Sequence, residues 1–153
     1  SFDKRIKTIL KIAKKLKELE INYKILILNS KKEKYEDTKE YDYLEFIKKP
    51  ITLNEINDYL LKSNVFLDIQ RKEQLGLTFR VFESLSFQKK LITTNDDIKN
   101  YDFYNSNNIL VIDSKNPKIE KSFFKTPYQK VPEEILNKYT LNEWIKEIIK
   151  VTN

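Results

Sequence analysis

Apolar residues Ile6, Ile9, Leu10, Ala13, Leu16 and Leu19 recur every three or four positions with lysines between them. They are followed almost at once by a short, nearly unbroken apolar run, Tyr23-Lys24-Ile25-Leu26-Ile27-Leu28. The spacing predicts an amphipathic helix over about residues 3–20. The run predicts a short strand buried on both faces, as in a parallel sheet. This alternation continues down the chain. After a polar, charged stretch from Asn29 to Glu40 comes a second strand candidate, Tyr43–Ile47. Thr52-Leu53-Asn54-Glu55 is a capping box that opens a helix through about Leu61. Val65–Ile69 is the third strand, a helix runs from near Thr78 to about Ser86, and Leu91–Thr94 and Ile109–Ile112 are the fourth and fifth strands. A second capping box, Thr140-Leu141-Asn142-Glu143, starts a C-terminal helix with Trp144, Ile148 and Ile149 on its apolar side. Helices alternating with short apolar strands define an α/β fold with a mostly parallel sheet of about five strands.

Composition narrows the chemistry. The 153 residues include one glycine, Gly76, and no cysteine, histidine or methionine. Glycine-rich phosphate loops of the Walker or dinucleotide type need several glycines and are excluded. Zinc sites of Cys and His, Ser-His-Asp triads, cysteine nucleophiles and disulfides are excluded as well. Carboxylates, hydroxyls, amides, backbone N–H groups, Lys and Arg remain. With 40 % apolar residues the chain suits one compact domain with a real core. No apolar run approaches the roughly 20 residues that span a bilayer. The lack of cysteine is compatible with a cytoplasmic location.

The net charge of +6 is unevenly placed: residues 1–34 hold 11 Lys and Arg against 4 Asp and Glu, and the rest hold 18 against 19. A basic amphipathic helix of this kind can lie at the inner face of an anionic membrane. It can equally pack one stripe on a sheet and leave its lysines in water. Tight nucleic-acid binders interleave arginine with aromatics in a basic patch. Only Arg5, Arg71 and Arg80 are arginines here, so nucleic acid is not an expected partner.

Ligands of parallel α/β sheets bind beyond the carboxyl ends of the strands. Of the loops so placed, the one running from Asp68 to Leu85 carries the densest set of unusual residues. It turns on Gly76, which can take a positive φ or let a ligand approach the backbone. Thr78 can cap the helix that follows, whose first-turn N–H groups form an anion site. Arg71 and Arg80 add charge in a form that suits phosphate oxygens. Glu83, over one turn into the helix, can accept hydrogen bonds from the two hydroxyls of a ribose. The plainer alternative is a tight turn at Gly76, an N-cap at Thr78 and an Arg80–Glu83 surface pair worth a few tenths of a kcal/mol. Asp68, at a strand end, is expected to be structural.

The run from Asn64 to Asn95, with Gly-Leu-Thr-Phe-Arg-Val-Phe-Glu-Ser-Leu and Lys-Lys-Leu-Ile-Thr-Thr-Asn inside it, resembles the C-terminal donor-binding half of GT-B glycosyltransferases. It is most similar to a bacterial group associated with lipopolysaccharide or capsular polysaccharide. Asn100–Asn105 and Pro132–Ile135 are similar to that group too, and the resemblance covers roughly residues 3–150. It implies a Rossmann-like domain that binds a nucleotide-diphosphate sugar and serves transfer to a saccharide or lipid-linked acceptor. Glu83 matches the glutamate that contacts the donor ribose. Gly76, Leu77 and Thr78 match backbone lying by the diphosphate and sugar, Arg80 would hold the diphosphate, and Gln74 would meet a sugar hydroxyl. No essential metal and no other cofactor is implied. A second reading of the same fold is a non-catalytic nucleotide-binding or interaction module.

Three departures from the family pattern stand out. The retaining enzymes place two glutamates with seven residues between them, whereas Glu73 and Glu83 have nine residues between them, which leaves the stereochemistry and the catalytic base open. Where the family helix ends in a glycine turn, this chain has Gln88-Lys89-Lys90. A left-handed residue with a side chain costs about 1 kcal/mol, so that turn is expected to be built differently. Ser1 begins almost directly in the first helix, so residues 1–153 are expected to be a fragment lacking the first strand and the N-terminal acceptor-binding half.

Overall fold

The computed structural model describes residues 2–28, 42–71, 74–140, 143, 146 and 149. They belong to two compact units: Ser1–Lys62 with Ile112–Lys125, and Ser63–Val111 with Thr126–Asn153. The fold is α/β, and among the described residues every strand pairing is parallel. The five strands among the described residues lie in two separate sheets, one of two strands and one of three, rather than in the single sheet that the sequence suggests.

In the first unit, helix α1 spans Phe2–Glu18, close to the predicted span. Strands β1 (Leu26–Leu28) and β2 (Glu45–Ile47) pair with Ile27 opposite Phe46. The apolar stripe of α1 does what its spacing dictates: Ile6, Leu10 and Ala13 form a buried cluster with Ile27 and Leu44, against which Ile9, Tyr23 and Phe46 pack. Helix α2, Leu53–Lys62, opens on the predicted capping box. The Glu55 carboxylate accepts the Thr52 backbone N–H at 2.7 Å, and the Thr52 hydroxyl accepts the Glu55 N–H at 3.3 Å. The bonds from Thr52 hold the Glu55 carboxyl below its ordinary range. The 112–125 segment is tied to α1 where the Thr8 hydroxyl donates to the Ser114 carbonyl at 3.2 Å and the Lys11 ammonium to the Lys115 carbonyl at 2.6 Å.

In the second unit, β3 (Val65–Asp68), β4 (Lys90–Thr93) and β5 (Ile109–Val111) stand in that order. The central strand β4 is buried at all four positions, which is why its sequence shows no alternation. Helix α3, Phe79–Ser86, joins β3 to β4 and buries Val81, Ser84 and Leu85. A 3₁₀ turn at Asp96–Asn100 follows β4, capped where the Asn95 side chain accepts the Asp97 N–H at 3.1 Å. Two short helices, α4 (Lys121–Lys125, in the first unit) and α5 (Glu133–Lys138), were not marked by any periodicity. The buried Asn108 amide binds both backbone groups of Gln129, donating to its carbonyl at 2.6 Å and accepting its N–H at 2.8 Å. Burial raises the Tyr139 phenol to about 12, aided by its hydrogen bond to Asp102. At the second predicted capping box the Thr140 hydroxyl accepts the Glu143 N–H at 3.4 Å; most of the helix predicted after it, with Trp144 and Ile148, lies outside the described residues. So do the 29–40 stretch and Glu73.

The turn after α3 corrects the sequence expectation. Gln88 does adopt the left-handed conformation, with φ +51°. Its N–H donates to the Leu85 carbonyl at 3.1 Å, and the Lys89 N–H to the Ser84 carbonyl at 2.8 Å, the two bonds of a Schellman cap. Helix α1 ends the same way, on Glu20 with φ +57°, its N–H bound to the Lys17 carbonyl and that of Ile21 to the Leu16 carbonyl. Each cap satisfies helix carbonyls that would otherwise be orphaned, and this outweighs the strain of a side chain at positive φ. Gln88→Gly removes that strain, and the greater freedom of glycine in the unfolded chain cancels part of the benefit. The expected net gain is about 0.5–1 kcal/mol in urea unfolding; an unchanged or lower midpoint would mean that Gln88 is unstrained.

Candidate functional site

The site is assembled at the carboxyl end of β3. Parallel register sets Asp68 beside Thr93, the last residues of β3 and β4. Asp68 is only 6 % exposed, so its carboxylate must find donors inside the protein. It takes two hydroxyls: Thr93 Oγ1 donates to Oδ2 at 3.0 Å, and Thr78 Oγ1 donates to Oδ1 at 3.0 Å. The first contact ties the two strand ends together, and the second ties the loop to them.

Thr78 therefore occupies the N-cap position of α3, with extended φ −88° and ψ 163°, but its side chain makes no capping bond. The expectation that Thr78 caps the helix is corrected by its neighbour: the hydroxyl donates to the buried Asp68 carboxylate, which orients it, and Oγ1 accepts no N–H of the first turn. The first turn of α3 also carries no acidic residue. The opening turn itself holds no carboxylate, and the Asp68 carboxylate at its N-cap is engaged by the Thr78 and Thr93 hydroxyls.

Gly76 has φ +76°, and a Cβ built there would meet nothing within 4 Å. The glycine serves backbone conformation, not close packing. Its carbonyl accepts from the Asn95 amide at 3.1 Å and from the Gln70 amide at 3.3 Å. Gln70 also donates to the Gln74 carbonyl at 2.9 Å, and its own N–H goes to Thr94 Oγ1 at 3.0 Å. The loop is thus fastened from Asp68 at the end of β3 and from Thr94 and Asn95 just after β4. Gln70, Thr93 and Asn95 were missed by sequence reasoning, because their roles depend on which strands pair.

Of the residues expected in the site, Arg80 and Glu83 are brought into direct contact, with Nη1 and Oε2 2.7 Å apart. The Arg80 guanidinium also lies over the Phe66 ring, 5.7 Å from its centroid, so its direction is fixed from two sides. The surface-pair alternative describes this contact as it stands, and Glu83 keeps acceptor capacity beyond the single bond, since a carboxylate offers about four lone-pair sites. Gln74, Leu77 and Thr78 are half-buried along the loop. Leu75 and Phe79 are 92 % and 88 % exposed, so neither belongs to the core and both offer apolar surface beside the loop.

A broad, open hollow of 340 Å³ lies in the first unit, lined by Lys17, Tyr23, Lys24, Tyr43 and Glu45 among others. Lys24 and Glu45 bind each other there, and Asn22 and Asp42 add further polar groups to the lining. Among the described residues no group of acidic side chains is placed to hold a metal ion, and no helix is long and apolar enough to cross a membrane. Comparison with protein-family models, with curated proteins and with solved structures finds no match to the chain.

Proposed function

We propose that the loop residues Gln74 to Thr78, with helix α3, bind the nucleotide-diphosphate part of a sugar donor. In this reading the chain is a Rossmann-like donor-binding domain of a glycosyltransferase that builds surface polysaccharide or lipopolysaccharide. One observation carries the proposal: the N-cap hydroxyl donates to a buried carboxylate, and the opening turn of α3 carries neither a side-chain cap nor an acidic group. The resemblance of the Asn64–Asn95 run to GT-B donor domains supplies the substrate class.

The diphosphate, with its negative charge, would meet the helix N–H groups and Arg80. Glu83, held in direction by Arg80, would accept the ribose hydroxyls, and Gln74 a hydroxyl of the sugar. Gly76 and Leu77 would bring backbone beside the diphosphate. As the glycosidic bond to the leaving diphosphate breaks, charge grows on its oxygens, and preorganised N–H groups and cations stabilise that charge. The acceptor, a saccharide or lipid-linked molecule, would enter from the side of the sugar.

Calorimetric titration of the 153-residue chain with UDP, GDP, ADP and CMP tests this. One nucleotide is expected to bind, and Glu83→Ala to weaken it by at least about tenfold, the loss of hydrogen bonds to a charged acceptor. Absence of binding by all four, or a Glu83→Ala variant with undiminished affinity, overturns the proposal.

A further inference from the structure

The two units differ in charge. The first holds 19 Lys and Arg against 13 Asp and Glu, and the second holds 10 against 10, so the whole excess of +6 lies in the first. Within it, Lys4, Lys7 and Lys11 follow one another along a single face of α1 and are exposed. The Lys11 ammonium reaches the Lys115 carbonyl, which brings the exposed Lys115 alongside. Asp113 is the acidic neighbour. Its carboxylate accepts the Lys115 and Asn116 N–H groups at 2.6 and 2.8 Å, and those bonds, then the charges of Lys115 and Lys11, hold it below its ordinary range. Asp113 thus offsets part of a patch of four lysines, Glu18 further along the helix is paired with Lys15, and Asp3 adjoins Lys4 in the sequence.

The opposite side of α1 is not available to a partner. Ile6, Leu10, Ile12, Ala13 and Leu16 are all buried in the protein. A helix that lay in a bilayer by its apolar stripe would have to give up that core. Whatever binds this surface is held by charge alone.

We propose that the Lys4–Lys7–Lys11–Lys115 face docks the protein on the surface of an anionic lipid bilayer, without insertion. Charge complementarity selects the partner. Lysine is a compact point charge, suited to the diffuse field of many headgroups. Arginine, the fork that reads individual phosphates, is missing from the patch. Nucleic-acid surfaces would further call for aromatic side chains among the cations, and residues 4, 7, 11 and 115 have none between them on that face.

The test is co-sedimentation of the full chain with phosphatidylcholine vesicles, with and without about one third phosphatidylglycerol. Binding is expected only to the anionic vesicles and is expected to fall as salt rises. Each lysine contributes roughly fivefold, so Lys4→Gln/Lys7→Gln/Lys11→Gln should weaken binding about a hundredfold. Lys48→Gln/Lys49→Gln/Lys62→Gln lowers the net charge equally at exposed positions elsewhere in the unit and should retain it. Circular dichroism of both variants checks that the fold survives. Binding to neutral vesicles, equal losses in the two triple variants, or tighter binding to polyuridylate than to anionic vesicles would each overturn the assignment. None of these readouts depends on nucleotide binding.

Discussion

Asp68→Ala is expected to lower stability by about 2–3 kcal/mol in urea unfolding, a large share of the 5–15 kcal/mol that holds a typical domain together. The alanine removes the acceptor of two hydroxyls. Thr93 is fully buried and cannot turn to water, so its donor stays unsatisfied. Thr78 is half-buried and can swing back onto the N–H groups of α3, recovering part of a normal cap. Removing a buried carboxylate also relieves some desolvation, which keeps the loss below that of two orphaned donors. Asp68→Asn preserves shape and one acceptor and should cost about 1 kcal/mol. Because Thr78 has a second use for its hydroxyl only when Asp68 is gone, the losses from Asp68→Ala and Thr78→Ala should not add; a coupling of about 1 kcal/mol is expected. A loss below about 0.5 kcal/mol for Asp68→Ala would show that the carboxylate does not organise the loop.

Leu91→Ala is expected to cost about 3 kcal/mol, within the range for large-to-small changes in a core. Leu91 is 0 % exposed and sits in the central strand, opposite Phe66 on one side and Ile109 on the other. Both neighbours are themselves buried and fixed by sheet hydrogen bonds, so the space left by the missing atoms cannot close by collapse. The backbone is pinned as well: the Leu91 N–H donates to the Asn108 carbonyl at 2.8 Å. Leu91→Ile, which preserves volume, should cost under about 1.5 kcal/mol. Equal midpoints for Leu91→Ala and the wild type would mean that β4 is not the core of its sheet.

Much of this architecture was legible because local physics decided it. The stripe of α1 has the helical period and no other, and the Thr52–Glu55 box names its own helix start. The strands were legible as strands, but their pairing was not. Three or four apolar residues mark a strand; burial on both faces, expected of the first run, fails at Leu28, which is 50 % exposed. Nothing in such a run says which other segment lies beside it. The division into sheets of two and three strands was hidden for that reason. So was the role of Asn95, a residue that looks like ordinary turn chemistry until β4 is known to end next to the Gly76 loop. The loop itself was found because positive φ favours glycine and only one was present. The caps at Glu20 and Gln88 show the converse: where a Schellman cap is closed by two backbone bonds, the left-handed residue need not be glycine, and composition then conceals the turn.

Those two caps also bear on the unfolded protein. A glutamate or glutamine at positive φ raises the energy of the native state, yet each samples far fewer backbone conformations than glycine once the chain opens. At Glu20 and Gln88 that smaller ensemble offsets only part of the strain, but wherever the native backbone takes a side chain without strain, withholding a glycine contributes about 0.4–1 kcal/mol. This contribution appears in no contact of the folded structure, and it grows with temperature, as entropy terms do. A chain with one glycine in 153 residues therefore draws part of its stability from how little disorder it gains on unfolding.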